Sequence, residues 1–158
     1  MSSEIHLPHL TPAGDAHMVD VSDKEVTVRS ASAEAIVVLA EETAEALFGG
    51  TLPKGDALAA IRLAGIMASK RTAELIPLCH PLPIDSVEVS VSRVDEGARI
   101  YAQVTTTGRT GVEMEAMTAV SIAALTLYDM VKGIERGVEI RVVRLLRKAG
   151  GRSGTWER

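Results

Sequence analysis

The stretch from Ser86 to Val104 constrains the fold of this chain more than any other. Val87, Val89 and Val91 alternate with polar residues, Asp95-Glu-Gly97 offers a turn, and Ile100, Ala102 and Val104 alternate on the way back. Period-two alternation on both sides of a short turn predicts a β-hairpin with one buried face. The remaining elements must fit around that sheet. Val26 to Val38 reads as a strand from Val26, Val28, Ala33, Ala35 and Val37, and Val138, Ile140 and Val142 supply a last one. Between the strands the period changes. Ala40 to Phe48 reads as a short helix ended by Gly49-Gly50. Asp56, an N-cap type, starts a second helix predicted to run to about Leu75, with Leu58, Ile61, Ala64 or Gly65, and Ala68 on one face. Thr110 opens a long helix whose apolar positions Met114, Met117, Val120, Ala124, Leu127 and Val131 keep the helical period to about Lys132. Gly133 and Gly137 close it.

Ile76-Pro-Leu-Cys-His-Pro-Leu-Pro83 cannot be helical, because its prolines hold their predecessors in extended geometry. The resulting order is βαββαβ, which packs most simply as one antiparallel sheet with helices on one face. This is the α+β, ferredoxin-like plan. With 158 residues the chain is the size of one domain. Residues 1–21 read as a loose arm and residues 149–158 as a flexible tail.

Composition removes several function classes. The net charge is −4 and aromatic residues are 3% of the chain, so a base-stacking or nucleic-acid-binding surface is not expected. No run approaches the roughly 18 apolar residues of a membrane span. The opening Met1–His6 lacks a basic flank leading into an apolar core, so no secretory signal is expected. The single cysteine, Cys79, excludes an intrachain disulfide framework and fits a reducing, cytoplasmic setting. Charge is uneven. Met1 to Asp56 is acidic, while the end of the chain gathers Arg141, Arg144, Arg147, Lys148, Arg152 and Arg158. These regions either pair with each other, within or between subunits, or the basic strand end and its Gly-Gly loop bind a phosphorylated small molecule.

Candidate chemical groups fall at a few places. Lys54 precedes the second helix, where it could meet an anion drawn to the helix end, or be a solvated turn lysine. His80 sits in the proline-braced loop, which would hold an imidazole with little entropy to lose; a surface histidine is the plainer reading. Cys79 and His80 are adjacent and make poor partners on one zinc ion, and nothing identifies a base beside Cys79. Thr110-Gly-Val-Glu113 fits a capping box, giving Glu113 a structural role, and Glu115 suits the first turn of the helix. Asp129 and Lys132 share a helix face as a surface ion pair or a proton-transfer couple. Glu115 and Asp129 lie on one helix at a separation of roughly 21 Å at 1.5 Å per residue. Both can serve one small substrate only if the site is shared between subunits.

Six strings then act together: His17-Met-Val-Asp-Val21, Lys54-Gly-Asp56, Lys70-Arg71 through Ile76–Pro81, Thr110-Gly-Val-Glu-Met-Glu-Ala116, Leu127-Tyr-Asp-Met-Val-Lys132 and Arg144-Leu-Leu-Arg-Lys-Ala-Gly-Gly151. In them the chain closely resembles the molybdenum cofactor biosynthesis protein C family, from about Thr11 to Gly154. The resemblance implies an enzyme, a lyase, that converts 3′,8-cyclo-7,8-dihydroguanosine triphosphate to cyclic pyranopterin monophosphate and pyrophosphate. It also implies a ferredoxin-like fold and a homo-hexamer built as a trimer of dimers, with its active site at a dimer interface. By the same resemblance Asp129, Lys54, Lys132 and His80 are catalytic. Leu78, Cys79, His80, Glu113, Met114, Glu115, Lys148 and Arg29 contact the substrate. No tightly bound cofactor is expected, and Mg²⁺ is a candidate companion of the triphosphate or pyrophosphate. Ala149 and Arg152 stand where serine and lysine often occur in the family, and Arg152 keeps the charge.

The chemistry so implied opens a purine-derived ring and recloses it as a pterin-like bicycle, and joins a ribose hydroxyl to the α-phosphate. Asp129 with Lys132, or Lys54, could move the protons if their surroundings bring their pKa values toward neutrality. Lys148, Arg29 and His80 could stabilise the leaving pyrophosphate. The rival reading is a non-catalytic, nucleotide-binding regulatory domain of the same fold.

Overall fold

The structure, a computed structural model, describes residues 9–158; residues 1–8, the first part of the expected arm, lie outside the described residues. The elements are β1 (Thr27–Val38), α1 (Glu41–Phe48), α2 (Ala57–Ser69), α3 (Thr72–Leu75), β2 (Ile84–Val94), β3 (Gly97–Gly108), α4 (Glu113–Val131), β4 (Glu139–Ala149) and β5 (Trp156–Glu157). The strands form one sheet in the order β2-β3-β1-β4-β5, and every pair is antiparallel. The expected α+β, ferredoxin-like architecture is therefore present, with β5 added at one edge.

The sheet buries one face under the helices. Ala31, Ala33, Ala35 and Val37 of β1 are at most 2% exposed, as are Ile100, Ala102 and Val104 of β3. Ala116, Ala119, Val120, Ala123 and Leu127 of α4 are wholly buried. Alanines on both layers let α4 lie close to the strands, which is how a core with so few rings packs densely. By length and composition alone α4 could cross a membrane; its buried side chains show that its apolar character serves this core. The partner of α4 is α2, running antiparallel to it. They meet at Gly65, where a Cβ would come within 3.1 Å of the Ala119 carbonyl oxygen and 3.2 Å of the Val89 side chain. Lys54, just before α2, bonds to Asp129 near the end of α4. At the opposite end Ser69 and Glu115 line a shared cavity.

Several local expectations need correction. The second helix does not run unbroken to Leu75: it stops at Ser69, and a short α3 follows the Lys70-Arg71 break. There the Ser69 hydroxyl donates to the Ile66 carbonyl and the Thr72 hydroxyl to the Ser69 carbonyl, local bonds that compete with the helical ladder. Its start is as expected, with the Asp56 carboxylate accepting from the Ala59 N–H at 3.0 Å. Thr110 does not open α4. The N-cap is Val112, no side chain caps it, and the Glu113 carboxylate turns instead to the Lys148 ammonium at 2.9 Å. A full ion pair outbids a capping bond. Strands β2, β3 and β4 are also longer than the alternation indicates. β4 reaches Ala149 because β1 templates it through two register shifts, between Ser32 and Ala33 and between Ile36 and Val37; each shift breaks the period-two pattern. Part of the expected tail forms β5, with Trp156 opposite Lys148.

The unequal charge of the two ends is partly resolved inside the chain. Glu34, in the middle of β1 and 4% exposed, accepts from Arg99 of β3 and Arg144 of β4, each at 2.5 Å. Burial works to raise its pKa, but the two guanidinium bonds overcome that and hold it below the usual carboxylate range.

The hairpin turn depends on Gly97. Its φ is +140°, and a Cβ there would strike the Val37 carbonyl oxygen and lie 2.7 Å from the Leu39 nitrogen. Gly97→Ala is expected to cost about 2 kcal/mol or more in a urea-unfolding titration. An unchanged midpoint would mean that the turn re-forms without strain.

Candidate active site

The loop Ile76–Pro83 and the first turn of α4 face each other across a cavity of about 450 Å³. Proline bracing keeps the loop extended, and the Cys79 N–H bond to the Ile76 carbonyl, 3.1 Å, folds its centre into a turn. Leu78, Cys79 and His80 line one side, and Glu113, Met114 and Glu115 another. The third wall is the arm, through His9, Val19, Val21 and Lys24. Loop and helix start therefore line one cavity, and His80 is a half-buried cavity residue, not an open-surface one.

Glu115 is the unusual group here. It is 3% exposed and has no cation beside it among the described residues. Burial pushes its pKa up to about 7; a bond to its own backbone N–H opposes the rise, and the charge of Glu113 adds to it. At neutral pH it can both donate and accept a proton. The Cys79 thiol is also pushed up, first by burial and then by the Glu115 charge, so it stays protonated and is a poor nucleophile.

Lys148 and Arg29 lie next to this cavity. Lys148 bonds to Glu113, and both line a smaller space of about 180 Å³ together with Arg29 and Gly150. The Nε of Arg29 donates to the Gly108 carbonyl at 2.9 Å, which fixes the guanidinium. Eight of the sequence-predicted site residues thus form one neighbourhood.

The other three stand apart. The Lys54 ammonium lies 3.0 Å from one Asp129 carboxylate oxygen, and the Lys132 ammonium 2.7 Å from the other, in a half-exposed triad. Bonds from Lys132 and then Lys54 hold the Asp129 carboxyl below its usual range, and Asp129 raises Lys132. Both shifts lead away from neutrality, contrary to the condition set for proton transfer, because oppositely charged neighbours stabilise each other's charged forms. The triad sits at the far end of α4 from Glu115.

Sequence reasoning did not single out Lys24, Thr110 or Val21 as cavity residues. The segment before β1, which carries Val21 and Lys24, has no periodicity, and only its placement against the loop reveals them; Thr110 read as a helix cap and lines the cavity because α4 starts beyond it. Among the described residues no three His, Cys, Asp or Glu side chains gather as a metal site.

The MoaC family model matches residues 18–151. A Streptomyces coelicolor protein described as cyclic pyranopterin monophosphate synthase is 55% identical over 152 residues, covering 96% of this chain and 89% of the relative. A protein of the same description from Thermomicrobium roseum is 56% identical, covering 96% and 93%. One from Chloroflexus aurantiacus is 54% identical, covering 99% and 98%. With a family match over most of its length and relatives of such identity along nearly all of it, the chain belongs to the MoaC family.

Proposed function

We infer that this chain is a cyclic pyranopterin monophosphate synthase of molybdenum cofactor biosynthesis, an enzyme acting on 3′,8-cyclo-7,8-dihydroguanosine triphosphate. The observation that carries this reading is the similarity, along nearly the whole chain, to relatives described by that name. The cavity supports it. Leu78 and Met114 offer apolar contact to a heterocycle, Glu113 and Glu115 face its ring nitrogens, and Arg29 and Lys148 adjoin it where phosphates would lie. Glu115, poised near neutrality, transfers protons during ring opening and reclosure. A ribose hydroxyl attacks the α-phosphorus, its proton passes to a base, the bond to the β-phosphate oxygen breaks, and pyrophosphate leaves. Lys148, Arg29 and His80 stabilise the charge that develops.

Lys54, Asp129 and Lys132 enter from a second copy of the chain. The outer faces of α2 and α4 expose Leu63 at 60%, Met67 at 56% and Leu125 at 55%, an apolar surface of the kind an association covers. A two-fold axis there sets α4 antiparallel to its copy, so the Asp129 end of one protomer meets the Glu115 end of the other. The homo-hexamer is three such dimers, working in the cytoplasm. Any Mg²⁺ would accompany the phosphate groups of the substrate or of pyrophosphate, since among the described residues the carboxylates are not grouped as a metal site.

Anaerobic incubation of the purified protein with the cyclised triphosphate is expected to release pyrophosphate and the pterin product, read as its fluorescent oxidation form, in equal amounts. Tight binding with neither product would overturn the enzyme reading in favour of a nucleotide-binding regulatory domain.

A further inference from the structure

Glu115, His80 and Leu82 form a partition with a cavity on each side of it. In front is the space of about 450 Å³ that takes the heterocycle; behind is a second space of about 130 Å³. The back space is walled by the end of α2, the break at Lys70 and α3 on one side, and by Pro81 and Ile84 on the other. Its lining changes with depth. Lys70 and Glu74 are exposed and stand at the mouth, and neither has an ion-pair partner among the described residues. Ser69 and Thr72 are buried. Each of their hydroxyls has already given its proton to a backbone carbonyl, Ser69 to Ile66 at 2.8 Å and Thr72 to Ser69 at 2.9 Å. What they offer to the space is therefore lone pairs, which suit a donor such as water. A space of this volume has room for about four waters at roughly 30 Å³ each.

Glu115 needs such a route during the reaction. It is 3% exposed, and a heterocycle seated against it displaces water from the front. Ring opening and reclosure move more than one proton, so a carboxyl that has given one up must be recharged before it acts again. That exchange requires a partner within hydrogen-bond reach, directly or through water. With a pKa raised to about 7, the group can be reset in either direction at neutral pH.

We propose that the space behind Glu115 is a water-filled proton route, in which Thr72 and Ser69 hold the waters and Glu74 at the mouth exchanges protons with solvent while substrate closes the front. This rests on the function inferred above, since it takes Glu115 for the group that protonates and deprotonates the ring. The balance is one proton per transfer. When Glu115 gives its proton to the ring, the adjacent water gives it another, each water takes one from the next, and the mouth takes one from solvent. Deprotonation of the ring runs the same chain outward. Thr72 is thus a positioning residue that acts through water, and Ala73, in the wall beside it, is the place to close the route.

Two measurements on the full-length protein test this. In turnover of the cyclised triphosphate, Thr72→Val and Ala73→Leu are each expected to lower kcat about tenfold, with KM within about twofold. Both should enlarge the solvent deuterium isotope effect on kcat, because proton delivery then limits the rate. Thr72→Ser, which keeps the hydroxyl, should regain most of the loss. A crystal structure of the unaltered protein should show ordered waters linking the Glu115 carboxyl to the Glu74 mouth. Unchanged kcat and isotope effect in Thr72→Val and Ala73→Leu would overturn the proposal, as would a loss that serine does not restore. So would a back space with no water in hydrogen-bond reach of Glu115. Should the waters be present while the unaltered protein turns over nothing, the enzyme reading fails and the water-filled path to Glu115 stands.

Discussion

Glu115→Gln is expected to make the protein more stable in mildly alkaline buffer and at least about a hundredfold slower in turnover. The stability half follows from burial. Glu115 is 3% exposed and its pKa is raised from 4.5 to about 7. Between those two values the folded chain holds a proton that the unfolded chain has released, so stability falls as pH rises through that window and levels off above it. A rise of this size corresponds to about 3 kcal/mol. Glutamine fills the same space without titrating. Urea titrations of the two proteins should therefore nearly coincide at pH 4.5 and separate by up to about 3 kcal/mol at pH 8, with the variant the more stable. Glu34 does not blur the comparison: its pKa is lowered, so its contribution is lost only as pH falls below the ordinary carboxylate range. Parallel stability profiles for the two proteins would mean that Glu115 is ionised in the folded chain as in the unfolded one. The proton-transfer role assigned to it would then have no basis. A carboxylate kept at a stability cost in a cavity wall is what a site needing a near-neutral acid would retain.

The fold was legible where local physics acts alone. The Ser86–Val104 hairpin and the Asp56 cap need only neighbours in the chain, and both formed where expected. The misses occur where a distant partner decides. Thr110 loses its capping role because β4 extends to Ala149 and brings Lys148 to Glu113; no spacing in the sequence announces a pairing across that distance. The length of β4 is itself imposed by β1 through two irregularities of register. For the site, the six strings located both clusters, because the residue types at the start and end of α4 are distinctive. They could not show that burial would move Glu115, rather than Asp129 or Lys132, toward neutrality. Asp129 and Lys132 read in sequence as a couple for proton transfer, but on an exposed helix end each fixes the other's charge. Lys24 was hidden for a different reason: its arm belongs to no periodic element and has meaning only against the loop it covers.

Two inactive variants, Glu115→Gln and Asp129→Ala, are expected to restore activity to each other when their chains are co-assembled. The argument is one of geometry. Within a chain the two residues are roughly 21 Å apart along a rigid helix, and the Glu115 cavity contains no part of the Lys54–Asp129–Lys132 triad. If each site takes its Glu115 cluster from one protomer and its triad from the other, a mixed dimer carries one doubly defective site and one intact site. Random pairing of equal amounts makes half the dimers mixed, so about a quarter of wild-type turnover should return, against about one per cent or less for either variant alone. Co-expression with two different affinity tags, followed by sequential purification, would raise this to about half for a free dimer. In a trimer of dimers nearly every assembly carries both tags, so the recovery stays at about a quarter. If each chain builds a complete site from its own residues, every site in the mixture carries one defect and nothing is recovered. The triad would then be a surface ion-pair cluster capping the end of α4, and the catalytic acid and base would have to be found within the Glu115 cavity itself.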